Sequence, residues 1–113
     1  MTTANEKVAQ RQLDAYNAHD IEEFVKCYSP TIEVYEHPHT LVYSGMELFK
    51  KRYSELFTAQ PKLHAELVNR ISSGSIVIDH ERITGRTDRD TFEAIAVYEI
   101  HDDIIHKVWF IRP

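Results

Sequence analysis

Apolar side chains follow a helical period in three stretches of the first half of the chain and alternate in most of what remains. Val8, Ala9, Leu13 and Tyr16 form one stripe, Ile21, Phe24, Val25 and Tyr28 a second, and Met46, Phe49, Tyr53 and Leu56 a third; this spacing puts each set on one face of a helix. Each stretch is preceded by a capping residue with a glutamate three positions on: Thr3/Glu6, Asp20/Glu23 and Ser44/Glu47. In that arrangement cap and glutamate satisfy free backbone N–H groups reciprocally. The pattern predicts a helix to about Asn17, a second that stops before Pro30, and a third that ends before Pro61.

Between the second and third helices, residues 31–36 alternate, and Leu41, Val42 and Tyr43 can return as a hairpin partner. Strands are predicted over 63–71, 75–84, 91–101 and 104–112, separated by the polar turns "SSGS", "GRTDRD" and "HDD". The order α-α-β-β-α-β-β-β-β predicts an α+β fold with helices on one face of a curved antiparallel sheet. A sheet closed in this way forms a cone with a pocket at its mouth. No repeat or linker divides residues 1–113, so one domain is expected.

Composition and charge narrow the partners. With 42% hydrophobic and 27% charged residues the chain has an ordinary globular make-up. Its 18 acidic and 13 basic residues give a net charge of -5, with the basic residues dispersed, so no nucleic-acid partner is expected. No apolar run approaches the roughly 20 residues needed to cross a bilayer, and "MTTANEKVAQ" lacks the basic start and apolar stretch of a leader. A cytoplasmic protein without a membrane partner is the expectation. The lone Cys27 sits in an apolar helical pattern and reads as a small core residue.

The stretches "YNAHDIEEFVKCYSPTIEVYEHP" and "AIAVYEIHDDIIHKVWFI", with the element order, resemble the nuclear transport factor 2-like superfamily, most closely its SnoaL-like and ketosteroid-isomerase-like members. The resemblance covers nearly the whole chain and implies a cystatin-like cone, a pocket for a small apolar or cyclic molecule, and a homodimer formed through the sheet face. It identifies the fold better than the activity, because one fold hosts many chemistries. By that resemblance Glu36 falls on the isomerase's general base. Gln12 stands where the tyrosine of its oxyanion hole belongs and Ala96 on or near its aspartic acid, so neither donor is present. Tyr28 and Tyr53 fall on supporting tyrosines.

Alternation places Glu36 on the face of Ile32 and Val34, with Glu33, Tyr35 and His37 opposite. A carboxylate desolvated among apolar groups is raised towards a useful proton-transfer range; at the strand end it would instead meet water. His37 and His39 have the spacing that lets two imidazoles on a strand share a metal. The intervening proline favours a turn, a third ligand is not specified, and no metal or cofactor is expected. In "IVIDHERITG", Asp79 and Glu81 share a face with Val77 and Ile83, and His80 and Arg82 with Ile76 and Ile78. Which set faces the pocket is open; His80 is either a pocket acid/base or an interface histidine. Trp109, alternating with Ile105 and Ile111, is a pocket or core residue, and Tyr16, Tyr28 and Tyr53 are candidate pocket tyrosines. The expected function is a cofactor-free isomerase, cyclase or lyase-type proton transfer on a small carbonyl or cyclic compound, catalysed by Glu36 with His80 or a phenol. The alternative is a non-catalytic ligand-binding or dimerisation module.

Overall fold

The protein is described by a computed structural model covering residues 2–113. In chain order the elements are α1 (Ala4–Asn17), α2 (Ile21–Val25), β1 (Tyr28–Glu36), β2 (Thr40–Ser44), α3 (Met46–Ala59), β3 (His64–Ser73), β4 (Ile76–Thr84), β5 (Phe92–His101) and β6 (Ile104–Ile111). Six strands form one sheet in the order β2-β1-β6-β5-β4-β3. Every neighbouring pair is antiparallel except β1 and β6, which run parallel. That pairing joins strands nearly seventy residues apart in the chain and leaves no trace in local periodicity.

The α1 cap forms as expected: Thr3 Oγ1 accepts the Glu6 N–H at 3.1 Å, and the Glu6 carboxylate accepts the Thr3 N–H at 3.3 Å. Asp20 likewise caps α2 by accepting the Glu23 N–H at 3.2 Å. The third cap is different. Ser44 ends β2, and Gly45, at φ 94°, occupies the cap position of α3 without a side-chain hydrogen bond. Helix α2 is only five residues long, because the chain has already entered β1 at Tyr28, carrying Pro30 within the strand.

The "NAHD" junction pins the helical layer to the sheet. Asn17 mimics a strand partner: its Oδ1 accepts the Ala65 N–H at 2.8 Å and its Nδ2 donates to the Ala65 carbonyl at 2.9 Å. His19, in the left-handed region at φ 54°, donates from Nε2 to the Leu63 carbonyl at 2.8 Å and stacks on Phe57. The turn thus fixed lets α2 insert Phe24, 1% exposed, among Tyr16, Tyr28, Phe49, Tyr53 and Phe57, with ring centroids 4.8–6.0 Å away. Burying one such ring stabilises the fold by about 1.5–3 kcal/mol.

Gly85 follows β4 where the chain passes hard against Lys62, just ahead of β3. A β-carbon there would lie 1.8 Å from the Lys62 carbonyl oxygen and 2.5 Å from its carbon, and the residue has φ +80°. Both contacts are with backbone, which has no rotamer by which to yield. Gly85→Ala is therefore expected to cost about 3 kcal/mol or more, read as a lowered urea midpoint; a midpoint within error of wild type would contradict the close approach.

A buried carboxylate in a tyrosine-lined cavity

Between the concave face of the sheet and the helices lies a cavity of about 470 Å³. Its size follows from side-chain choice on β4 and β5. Asp79 pairs across the sheet with Ala96 and Glu81 with Ala94, so two methyl groups stand where larger side chains would fill the space. The inward row of β4 is Val77, Asp79, Glu81 and Ile83, all buried. Of the two sets left open by alternation, this one faces the helices.

Asp79 and Glu81 meet different surroundings. Asp79 is fully buried and held bidentately by Arg70, its cross-strand partner on β3, at 2.6 and 2.9 Å; Arg70 also donates to Gln10 on α1 at 2.9 Å. Its charge is therefore fully engaged. Glu81 is 8% exposed and lines the cavity, and its carboxylate has no hydrogen-bond donor among the described residues. Burial, and secondarily the negative charge of Asp79, push Glu81 up to about 7 against an ordinary 4.5, although Arg70 acts in the opposite sense. The carboxylate thus exchanges its proton near neutral pH and has its oxygens free to do so.

Facing it is a polar chain of fixed direction. Gln12 Nε2 donates to the Ala9 carbonyl at 3.0 Å and to the Tyr98 hydroxyl at 3.1 Å, while Gln12 Oε1 accepts from the Tyr28 hydroxyl at 2.8 Å. A carbonyl can only accept, so the Ala9 contact fixes the amide orientation. The Tyr98 hydroxyl proton then has no acceptor among the described residues, and Tyr98 lines the cavity. Burial raises Tyr28, Tyr53 and Tyr98 well above the ordinary phenol value, and Tyr16 also rises. All four remain neutral hydrogen-bonding groups in the physiological range.

The sequence candidates are dispersed by this geometry. Tyr16, Tyr28 and Tyr53 line the cavity, as Glu36 does. Glu36, however, sits at the rim with its side chain 40% exposed and paired with Arg112. His80 points from the opposite sheet face and pairs with Glu93 at 2.5 Å, because it follows Asp79 in an alternating strand. Trp109 is also on that outer face, 5.3 Å from the stacked ring of Tyr35, donating from Nε1 to His39 Nδ1 at 3.1 Å. Its expected kinship with Ile105 fails because β6 carries a bulge: Glu99 pairs with Lys107 but Ile100 with Ile105. The extra residue, His106, reverses the facing of everything beyond it. His37 and His39 lie at the turn after β1, and no group of three or more His, Cys, Asp or Glu among the described residues is placed to hold a metal ion.

Glu81 and Tyr98 are the functional candidates that pattern reading did not single out. Their signal was two carboxylates at alternate positions in an apolar strand, opposite the small residues of "AIA" on the next.

The SnoaL-like domain pattern matches residues 9–108. No curated protein sequence matches. Among solved structures, an uncharacterised cystatin-fold protein from Novosphingobium aromaticivorans superposes with a TM-score of 0.89 at 27% identity, covering 97% of this chain and 99% of that one. A SnoaL-like protein of unknown function from Burkholderia thailandensis gives 0.82 at 19% identity over 100% and 98% of the two chains. TerC, co-crystallised with polyporic acid, gives 0.82 at 12% identity over 98% and 92%.

Proposed function

The chain belongs to the SnoaL-like domain family, and from that premise we propose that it is a proton-transfer enzyme acting without a cofactor on a small cyclic carbonyl compound. The observation that carries this reading is the unbonded Glu81 carboxylate inside the cavity, raised to about 7. Ionised, Glu81 accepts a proton from the carbon next to a carbonyl; the Tyr98 hydroxyl donates a hydrogen bond to the oxygen on which charge develops. Protonated Glu81 then returns the proton to a different carbon, giving isomerisation, or to a leaving oxygen, giving elimination. The aromatic walls bind the ring and exclude water. The role expected of Glu36 thereby passes to Glu81, and Tyr98 supplies a donor in place of the two missing at Gln12 and Ala96.

The direct test is solvent-deuterium exchange into the carbon between ring and carbonyl of 2-tetralone, followed by NMR. Wild-type protein is expected to accelerate exchange above buffer, with activity rising through pH 7 as Glu81 ionises. Glu36→Gln is expected to change the rate less than about threefold, since its partner Arg112 and its exposure put it in water. No acceleration by wild type would favour the non-catalytic ligand-binding module.

We also propose that a second copy of the chain covers the outer sheet face. Ile78, Ile95, Val97, Trp109 and Ile111 lie there half-exposed, forming a contiguous apolar surface flanked by the His80–Glu93 pair. Sedimentation is expected to give a dimer at micromolar concentration and a monomer for Val97→Glu. A monomeric wild type would sink the proposal.

A further inference from the structure

The cavity mouth has a charge opposite to that of the chain. Four arginines line it, Arg52, Arg86, Arg89 and Arg112, against the rim carboxylates Glu36 and Glu55, in a protein whose net charge is -5. Two of the four are already engaged: Arg112 pairs with Glu36, and Arg86 with Asp88 at 2.6 Å. Arg52 and Arg89 have no carboxylate within ion-pairing distance among the described residues.

Both free arginines are nonetheless held in place. The Arg52 guanidinium lies 4.4 Å over the ring of Tyr43, and that of Arg89 lies 3.6 Å over Phe92; both rings line the same cavity. Stacking occupies the face of a guanidinium and leaves its in-plane N–H edge free, which is the geometry that recognises a carboxylate bidentately. The two come from different elements, α3 and the β4–β5 loop, and both line the same cavity. Inside, Tyr16, Tyr53 and Phe24 are among the aromatic residues that line the cavity.

We propose that the ligand is an aromatic or cyclic carboxylic acid, bound with its ring in the tyrosine-lined cavity and its carboxylate at the mouth against Arg52 and Arg89. This deepens the functional reading above by naming the substrate class. It rests on the cavity being a ligand site, and not on which group moves the proton.

Calorimetric titration with 2-naphthoate and its neutral isostere 2-naphthamide separates the two questions. Wild-type protein is expected to bind the carboxylate at least about tenfold more tightly than the amide. Arg52→Gln and Arg89→Gln should each weaken 2-naphthoate roughly three- to fivefold and the double variant roughly tenfold or more, with 2-naphthamide unchanged within about twofold. The preference should shrink as ionic strength rises, because both guanidinium groups are exposed. Equal affinity for the two probes, a preference that survives in the double variant, or no measurable binding of either overturns the proposal. Glu81→Gln should retain the carboxylate preference even where it abolishes deuterium exchange. Conversely, 2-tetralone carries no carboxylate, so its exchange can fail without touching this result.

Discussion

Glu81→Gln is expected to lower the deuterium-exchange rate by about 10²–10⁴-fold, the usual contribution of a positioned general base, while leaving the fold intact. The amide fills nearly the same volume, and Glu81 makes no hydrogen bond to protein that the substitution would break. The same variant has a second signature in stability. Glu81 titrates near 7 in the fold against an ordinary 4.5, so between those values the folded protein holds a proton that the unfolded chain has released. The stability this proton contributes is complete below about pH 4.5 and is lost as pH rises through 7. The difference of roughly 2.5 pH units corresponds to about 3 kcal/mol. Urea denaturation should therefore find the glutamine variant nearly equal to wild type at pH 4.5, increasingly more stable than it as pH rises towards 7, and more stable by a constant margin above that. Exchange retained in the variant would remove Glu81 from the chemistry. A wild-type/variant difference independent of pH would remove the strained carboxylate from the fold.

Arg70→Met should be the most damaging single change to stability. It leaves Asp79, with 0% exposure, without the two guanidinium bonds that neutralise it, and breaking one side of a buried ion pair costs about 3–5 kcal/mol. It also cuts the link from β3 through Arg70 to Gln10 on α1. Removing the charge as well, in Arg70→Met with Asp79→Leu, should recover most of the loss, because a buried pair replaced by apolar groups of similar size is often neutral in stability. The two roles of the pair then separate. The double variant lacks both Asp79, which raises Glu81, and Arg70, which lowers it; since Asp79 ranks ahead of Arg70 among those influences, its exchange profile should shift towards lower pH. A single variant as stable as wild type, or a double variant no better than the single, would contradict the account.

How much of this was legible in the sequence follows from the range of the interactions involved. Caps and short-range periodicity act within a few residues, and they placed α1, the hairpin, the four later strands and the helix-borne tyrosines Tyr16 and Tyr53; Tyr28, expected on the second helix, opens β1 instead. Local pattern misleads where a distant segment decides the outcome. The parallel pairing of β1 with β6 is one such case, and the bulge at His106, which turned Trp109 outward, is another. For β4 the alternation was right but silent about sides. Ala94 and Ala96 opposite, and Arg70 across the other edge, are what make the acidic face the inner one. Glu36 shared the inward face as expected, but one residue of strand end was the difference between a cavity wall and its rim.

The Tyr28–Gln12–Tyr98 chain also has a consequence for which functional group of a ligand the cavity accepts. Because the Ala9 carbonyl locks the amide, every hydrogen along the chain points the same way, and the last one emerges from Tyr98. A ketone or an enolate oxygen there completes the series as a terminal acceptor. An amine or amide N–H at the same point would meet another hydrogen, with no rotation of Gln12 available to relieve it. The buried backbone carbonyl of Ala9 on α1 thus acts as a chemical valve, admitting acceptors and turning donors away.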